Sequence, residues 1–266
     1  MTDSSRLKDR VVIVTGGGGG GGIGKGACER IADEGGLVAV LDLRAELAEE
    51  VAAGINAKGG RAIALTCDVA VESDVKAAVA ETVKTFGSLY GMVANAGTAG
   101  SGWIHETAIA DWHAVLGVNL TGPFLCAKHA IPYMIENGSG AFVVTSSIAG
   151  SVIGAGGAAA SYAVSKAGVI ALAKQIAVDY GSQNIRANAI QPGPVANSNL
   201  AEHAKEDQRS HSTPSAKLPR PKPWLPIRRA GDPYGEYGAT IAFLLSDDAG
   251  YITGSAIPVE GGYLAT

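Results

Sequence analysis

The sequence predicts an α/β protein: one domain built on a doubly wound, mostly parallel sheet of seven strands, with helices flanking both faces. Three observations carry that prediction. Short apolar runs alternate with segments of helical periodicity along the whole 266-residue chain. The runs are apolar throughout rather than at every second position, which is the pattern of strands covered on both sides. The first run leads through a glycine-rich turn into a helix, an arrangement that brings bare backbone N–H groups and a helix N-terminus up to a phosphate. A composition of 47% hydrophobic and 17% charged residues fits a large core. No composition break or repeat divides the chain, so residues 1–266 are read as a single unit.

The elements follow in order. Val11 to Val14 is four β-branched residues in a row and reads as a buried strand. Seven consecutive glycines, Gly16 to Gly22, come next, and Ile23, Gly24 and Lys25 lead into a helix over 27–34. A flexible linker is the alternative for such a run, but a linker belongs between domains, not behind the first strand. Leu37 to Leu41 is the second strand and ends at Asp42. Leu47, Val51 and Ile55 at i, i+4, i+8 mark a helix over 45–58, closed by Gly59-Gly60. Arg61 to Thr66 is the third strand, 72–86 a helix closed by Gly87, and Leu89 to Ala94 the fourth strand. A long helical region over 109–136 is expected to kink or divide at Pro123 and Pro132. Ala141 to Thr145 is the fifth strand, 161–180 a long helix, Ile185 to Ile190 the sixth strand, 232–245 a further helix and Ala256 to Val259 the last strand. The polar, proline-rich stretch 194–229 breaks the regularity and reads as a lid over the ligand, or else as an insertion without function.

A sheet of this kind holds its ligand beyond the carboxyl ends of its strands. Small or polar residues stand at all six such places: the glycine run, Asp42, Asp68, Asn95-Ala96-Gly97, Ser146-Ser147 and Pro192-Gly193. Asp42 is placed to accept hydrogen bonds from a ribose 2′-hydroxyl and to repel a 2′-phosphate, which points to NAD over NADP. Arg44 is near enough to answer that phosphate, and an N-cap role is the plain alternative for Asp42. Tyr162 and Lys166, at i and i+4, share a helix face. A lysine ammonium favours a phenolate, so this pairing is expected to lower the Tyr162 pKa and let it exchange a proton with a substrate oxygen. Ser147 is placed to hydrogen-bond the same oxygen.

Other classes are excluded. The net charge of −4 and pI near 5.7, with no basic cluster, argue against nucleic acid. Cys28, Cys67 and Cys126 are far apart, and the five histidines show no ligand spacing, so neither a disulfide framework nor a metal site is expected. The N-terminus is polar, without a signal peptide. The uncharged stretch 137–165 is interrupted by glycines and serines, so no membrane span is read there and a cytoplasmic protein is expected.

Taken together, the glycines behind Thr15, Asp42, Cys67-Asp68-Val69, Asn95-Ala96-Gly97, Ser146-Ser147, Tyr162-x-x-x-Lys166 and Pro192-Gly193 stand in one order. In that order the chain resembles the short-chain dehydrogenases/reductases from about Leu7 to Gly262. The resemblance implies a Rossmann fold, a homotetramer with the region 252–263 near an interface, and a catalytic tetrad of Asn119, Ser147, Tyr162 and Lys166. Asn119, in VNLTGPF, would hold a water in a proton relay, Tyr162 would be the acid/base, Ser147 would orient the reacting oxygen, and Lys166 would bind the nicotinamide ribose. Ser146 is the rival to Ser147; the second serine of such a pair is the usual one in the family. Cofactor contacts would fall on Gly16, Gly22, Ile23, Gly24, Asp42, Leu43, Asp68, Val69, Asn95, Ala96, Gly97, Tyr162, Lys166, Pro192, Gly193 and Val195.

The chain departs from the family pattern in three places. Gly22 and Gly24 stand two residues further from Thr15 than usual, the loop from Ser147 to Tyr162 is about two residues longer, and Asn197 replaces a threonine. The surplus glycine is expected to order on cofactor binding. The activity implied is an NAD(H)-dependent interconversion of a secondary alcohol and a ketone. Its rivals are an NADPH-dependent ketoreductase of the 3-oxoacyl carrier-protein type and a dinucleotide-binding sensor or scaffold without turnover. Trp103 and Trp224 either line the substrate pocket or serve packing and subunit contact.

Overall fold

The computed structural model describes residues 5–19, 22–100, 102–152, 159–197 and 225–265. Gly20 and Gly21, residues 153–158 of the loop before Tyr162, and most of the expected lid, with Trp224, lie outside the described residues.

The strands are β1 (Val11–Thr15), β2 (Leu37–Asp42), β3 (Arg61–Thr66), β4 (Gly91–Ala94), β5 (Gly140–Thr145), β6 (Ile185–Pro192) and β7 (Ala256–Val259). They form one sheet in the order β3-β2-β1-β4-β5-β6-β7, with every neighbouring pair parallel. β1, β2, β4 and β5 are buried along their whole length, whereas the edge strands β3 and β7 are partly exposed. This is the physical reason for the unbroken apolar runs: a central parallel strand has no solvent face.

The helices are α1 (Ile23–Asp33), α2 (Ala45–Ala57), α3 (Glu72–Phe86), α4 (Ile109–Leu116), α5 (Gly122–Glu136), α6 (Ala160–Tyr180) and α7 (Ala239–Leu245). Alternate strand residues feed two cores. Val11, Ile13, Ala39, Met92, Phe142 and Ala187 pack with residues of α3, α5 and α6, while Val12, Val14, Val40, Val93 and Val143 pack with residues of α1, α2 and α7. The carbonyls at the end of α7 are held from β6 and from the residue before β4: Arg186 donates to Leu244 O at 2.7 Å and to Ser246 O at 3.0 Å, and Tyr90 Oη donates to Leu245 O at 2.9 Å. No helix among the described residues is long and apolar enough to cross a membrane.

Two helical regions differ from the sequence expectation. The 109–136 region divides at a π turn, Gly117–Thr121, rather than at its prolines. Pro123 follows the π turn directly, in the first turn of α5, and Pro132 lies inside the uninterrupted α5. The 232–245 region opens as a π turn, Pro233–Gly238, before α7 begins. Helix α1 also starts at Ile23, four residues earlier than read, because glycines carry no helical signal of their own.

Candidate active site

β1 has β2 on one side and β4 on the other, so the strand order reverses beside it and a crevice opens at its carboxyl end. The glycine turn fills that end. Gly16 has φ +63°, and a Cβ there would stand 2.9 Å from the Cα of Ala96. A Cβ on Gly24 would run into the Gly16 carbonyl and come 2.7 Å from Asn95 Nδ2. By contrast, a Cβ on Gly19 or Gly22 would meet nothing nearer than 3.7 Å. Gly22 caps α1 without any side-chain hydrogen bond, and the first turn of α1 carries no acidic residue. The helix therefore starts as an uncapped, positively polarised end facing a bare cradle, which fits a dinucleotide pyrophosphate.

Asp42 ends β2 at 7% exposure. Its Oδ2 accepts the Gly18 N–H at 3.1 Å and its Oδ1 the Arg44 N–H at 3.1 Å. The carboxylate thus holds both the glycine turn and the entry to α2. The Arg44 Nε lies 3.9 Å from Oδ1 on a half-exposed side chain, and Leu43 stands exposed beside them. Asp68 turns its carboxylate onto its own loop, with Oδ1 accepting Ala70 N–H at 2.9 Å, and Val69 is buried.

A hydrogen-bonded seam runs across the carboxyl edge from β1 to α6. Thr15 Oγ1 accepts the N–H groups of Asn95 (3.0 Å) and Ala96 (3.1 Å), and Asn95 Nδ2 donates to Thr15 O at 3.1 Å. Thr145 Oγ1 donates to Asn95 Oδ1 at 3.0 Å, and Lys166 Nζ donates to Thr145 O at 2.8 Å. Neither threonine stands out in the sequence; each looks like an ordinary strand end.

Asn119 lies buried in the π turn between α4 and α5. Its Oδ1 accepts Thr98 N–H at 2.8 Å, and its Nδ2 donates to Thr98 O at 2.9 Å and Ser165 Oγ at 3.2 Å. The Thr98 pair fixes which way the amide points. A Cβ on Gly97 would touch both Asn119 Oδ1 and Lys166 Nζ at 3.4 Å, so Gly97 is the floor between them.

The two serines after β5 are in different positions. Ser146 is buried, and its Oγ donates to Lys166 O at 2.6 Å. Ser147 Oγ accepts Ala149 N–H at 3.1 Å and hydrogen-bonds the Tyr162 side chain. Tyr162 and Lys166 share one face of α6, with Lys166 Nζ 5.7 Å from the phenol ring centroid. Burial raises the Tyr162 pKa, and the Ser147 hydrogen bond works against that rise. Burial alone brings Lys166 down to about 8. This corrects the expectation that Lys166 lowers the phenol's pKa: in the protein without ligand the lysine is itself desolvated, and Ser147 is the group that opposes burial.

At the end of β6, Pro192 is buried, and the following Gly193 N–H donates to Val259 O at 3.0 Å. Val195 pairs with Gly231, and Tyr237 Oη donates to Pro194 O at 3.0 Å. Asn197 has φ +56°. A β-branched threonine is strained in that region and asparagine tolerates it, which gives a backbone reason for the departure at this position. Among the described residues no group of three or more His, Cys, Asp or Glu side chains is placed to hold a metal.

A family model described as enoyl-(acyl carrier protein) reductase matches residues 18–264. The chain is 37% identical over 262 residues to 2-(S)-hydroxypropyl-CoM dehydrogenase 3 of Xanthobacter autotrophicus, covering 98% of this chain and 99% of that protein. It is 36% identical over 261 residues to cyclohexanol dehydrogenase of an Acinetobacter species, covering 98% and 97%. A short-chain type dehydrogenase/reductase from Mycobacterium marinum superposes with a TM-score of 0.85 at 27% identity, over 99% of this chain and 98% of that one. With its strand order, its glycine turn and these relatives, the chain belongs to the short-chain dehydrogenase/reductase family.

Proposed function

We propose that the protein is an NAD(H)-dependent oxidoreductase that interconverts a secondary alcohol and a ketone, with Tyr162 as general acid/base. The observation that carries this reading is the convergence of the Ser147 hydroxyl and the Lys166 ammonium on the Tyr162 phenol at the carboxyl edge of the sheet. The relatives' names add chemistry of one kind: a 2-hydroxypropyl group and cyclohexanol both carry the hydroxyl on a secondary carbon.

The dinucleotide, when bound, supplies the acceptor and donor of hydride for the substrate carbon. Gly16, Gly22, Ile23 and Gly24 would hold its pyrophosphate at the start of α1. Asp42 would hold the adenine ribose with Leu43 beside it, and the backbone at Asp68 and Val69 would face the adenine. Asn95, Ala96 and Gly97 would line its floor, and Pro192, Gly193 and Val195 the nicotinamide end. Lys166 has three donors and uses one on Thr145; the others are available to ribose hydroxyls. Tyr162, as phenolate, takes the proton of the alcohol oxygen in oxidation and returns it in reduction, while Ser147 holds the same oxygen. Both ends of the Asn119 amide are engaged, so its side chain holds the Thr98 loop, and a relay role would fall to its backbone.

An NADPH-dependent ketoreductase is the second reading, favoured by Arg44 beside Asp42. Titration with NADH and NADPH separates the two. Under the first reading NADH binds more tightly, because a 2′-phosphate meets the Asp42 carboxylate. Tyr162→Phe tests the chemistry: turnover of cyclohexanol with NAD falls about 100- to 10,000-fold while NADH binding is kept. Undiminished turnover in that variant rules out Tyr162 as the acid/base. The family resemblance also implies a homotetramer, and the three free, buried cysteines suit a reducing cytoplasm.

A further inference from the structure

β6 sends Ile185, Ala187 and Ala189 into the apolar core that α6 shares. Gln191 is next on that face of the strand and is only 3% exposed. A carboxamide at the end of an apolar row must find partners. Gln191 finds them on the turn after β5: its Nε2 donates to Ser151 Oγ at 2.5 Å and lies 3.4 Å from Ser147 O. A carbonyl only accepts, so the amide nitrogen, not its oxygen, faces this turn. The turn is a single 3-10 turn, Ile148–Gly150. Ser147 stands at its start, and Ser151, an exposed residue, at its end. Internally it is closed by Gly150 N–H on Ser147 O (2.9 Å) and Ser151 N–H on Ile148 O (3.0 Å). So short a turn has little hold on its own geometry. Gln191 ties both its ends to the rigid sheet.

We propose that Gln191 is a positioning residue: by pinning Ser151 and the Ser147 carbonyl to β6, it fixes the Ser147 hydroxyl against the Tyr162 phenol. The inference rests on the reading of Ser147 and Tyr162 as the pair that handles the substrate proton. Gln191 does not reach the reacting atoms. Its influence is on proton affinity, because the Ser147 bond is what opposes the effect of burial on Tyr162. Lys166, 5.7 Å from the ring, is untouched by the change.

Gln191→Met preserves volume and removes both bonds, and Ser151→Ala removes the outer bond at an exposed position. Tyr162 ionisation is read as the phenolate absorbance of each protein minus that of the same protein carrying Tyr162→Phe. Turnover is followed with cyclohexanol and NAD. In Gln191→Met the Tyr162 pKa rises by about one unit, and oxidation slows about tenfold near neutral pH and recovers toward alkaline pH. The NADH dissociation constant stays within about twofold. Ser151→Ala moves the same quantities in the same direction by less, and carries the decision alone if the methionine variant does not fold. An unchanged Tyr162 titration overturns the proposal, even where the melting temperature falls. If Tyr162→Phe leaves turnover intact, the proposed function fails, while the titration still decides whether Gln191 governs the Ser147–Tyr162 contact.

Discussion

Asp42 holds the glycine turn through Gly18 and the entry to α2 through Arg44, so its removal does more than relax a preference between cofactors. Asp42→Ala frees room for a 2′-phosphate but takes away the acceptor of the Gly18 N–H. A hydrogen bond to a charged group contributes about 1.5–3 kcal/mol, so NADH should bind about 10- to 100-fold more weakly. NADPH should not recover the affinity lost, because the same turn holds either pyrophosphate. Fluorescence titration of both nucleotides decides it, and a variant that simply exchanges NADH for NADPH at equal affinity contradicts the latch. Lys166 makes a separate prediction about stability. Burial lowers its pKa to about 8, against about 10.4 in an unfolded chain. Between those values the unfolded state binds more protons, so stability rises with pH there; below about 8 the folded protein carries the full penalty of a buried ammonium. Tyr162 acts in the opposite sense, since its pKa is raised, and stability falls above about pH 10. The unfolding free energy of the cofactor-free protein should therefore climb from about pH 8 to about pH 10, by on the order of 2–3 kcal/mol from this lysine. Urea unfolding of Lys166→Met should lack that climb, and an identical pH profile in the variant refutes the assignment.

Among the elements, the turn between β1 and α1 separates glycines that packing requires from glycines it does not. Gly24→Ala drives a methyl group into the Gly16 carbonyl and Asn95, and overpacking of this kind costs about 1–3 kcal/mol. Gly19→Ala meets nothing nearer than the Gly16 carbonyl at 3.7 Å, an ordinary contact, and lacks a positive φ, so it should be neutral or stabilise by about 0.4–1 kcal/mol through the unfolded chain. Urea midpoints of the two variants should move apart, and equal loss in both argues that the whole run is packed alike. The sequence could not separate these glycines, because the distinction lies in how closely the fold approaches them: Gly16 and Asn95 crowd Gly24, while Gly19 has no neighbour nearer than 3.7 Å. The π turns at Gly117–Thr121 and Pro233–Gly238 were illegible for the same reason. An extra residue in a helix answers tertiary contacts, such as the tie between Asn119 and Thr98, that no local pattern records. The strands were legible to within about two residues because burial on both faces writes itself directly into composition. Of the candidate site, the i, i+4 spacing put Tyr162 and Lys166 on one helix face, and the structure brings Ser147 and Lys166 beside the Tyr162 phenol, whereas the choice of Ser147 over Ser146 rested on the family resemblance rather than on spacing. The direction of the Tyr162 pKa could not be read from the sequence, since it depends on how deeply α6 is covered.

At the scale of the whole molecule, the two cores close both faces of the sheet yet leave large apolar side chains in solvent. Phe124 on α5 is half exposed, and Tyr251, between α7 and β7, is fully exposed. They belong to different parts of the surface: α5 packs with α3, while Tyr251 precedes the edge strand β7. A monomer gains nothing from either exposure, whereas a closed tetramer with two-fold axes needs at least two distinct self-complementary patches. The expected assembly is four copies of the 26.8 kDa chain, about 107 kDa. Light scattering coupled to gel filtration measures this directly. Phe124→Glu and Tyr251→Glu each place a charge in one patch and leave the other intact, so each variant should run as a dimer of about 54 kDa with its cores undisturbed, and the double variant as a monomer. A wild-type protein that remains at the mass of one chain across the micromolar range removes the tetramer from the proposal. Two single variants that both stay tetrameric would leave the assembly standing and displace its interfaces to other faces.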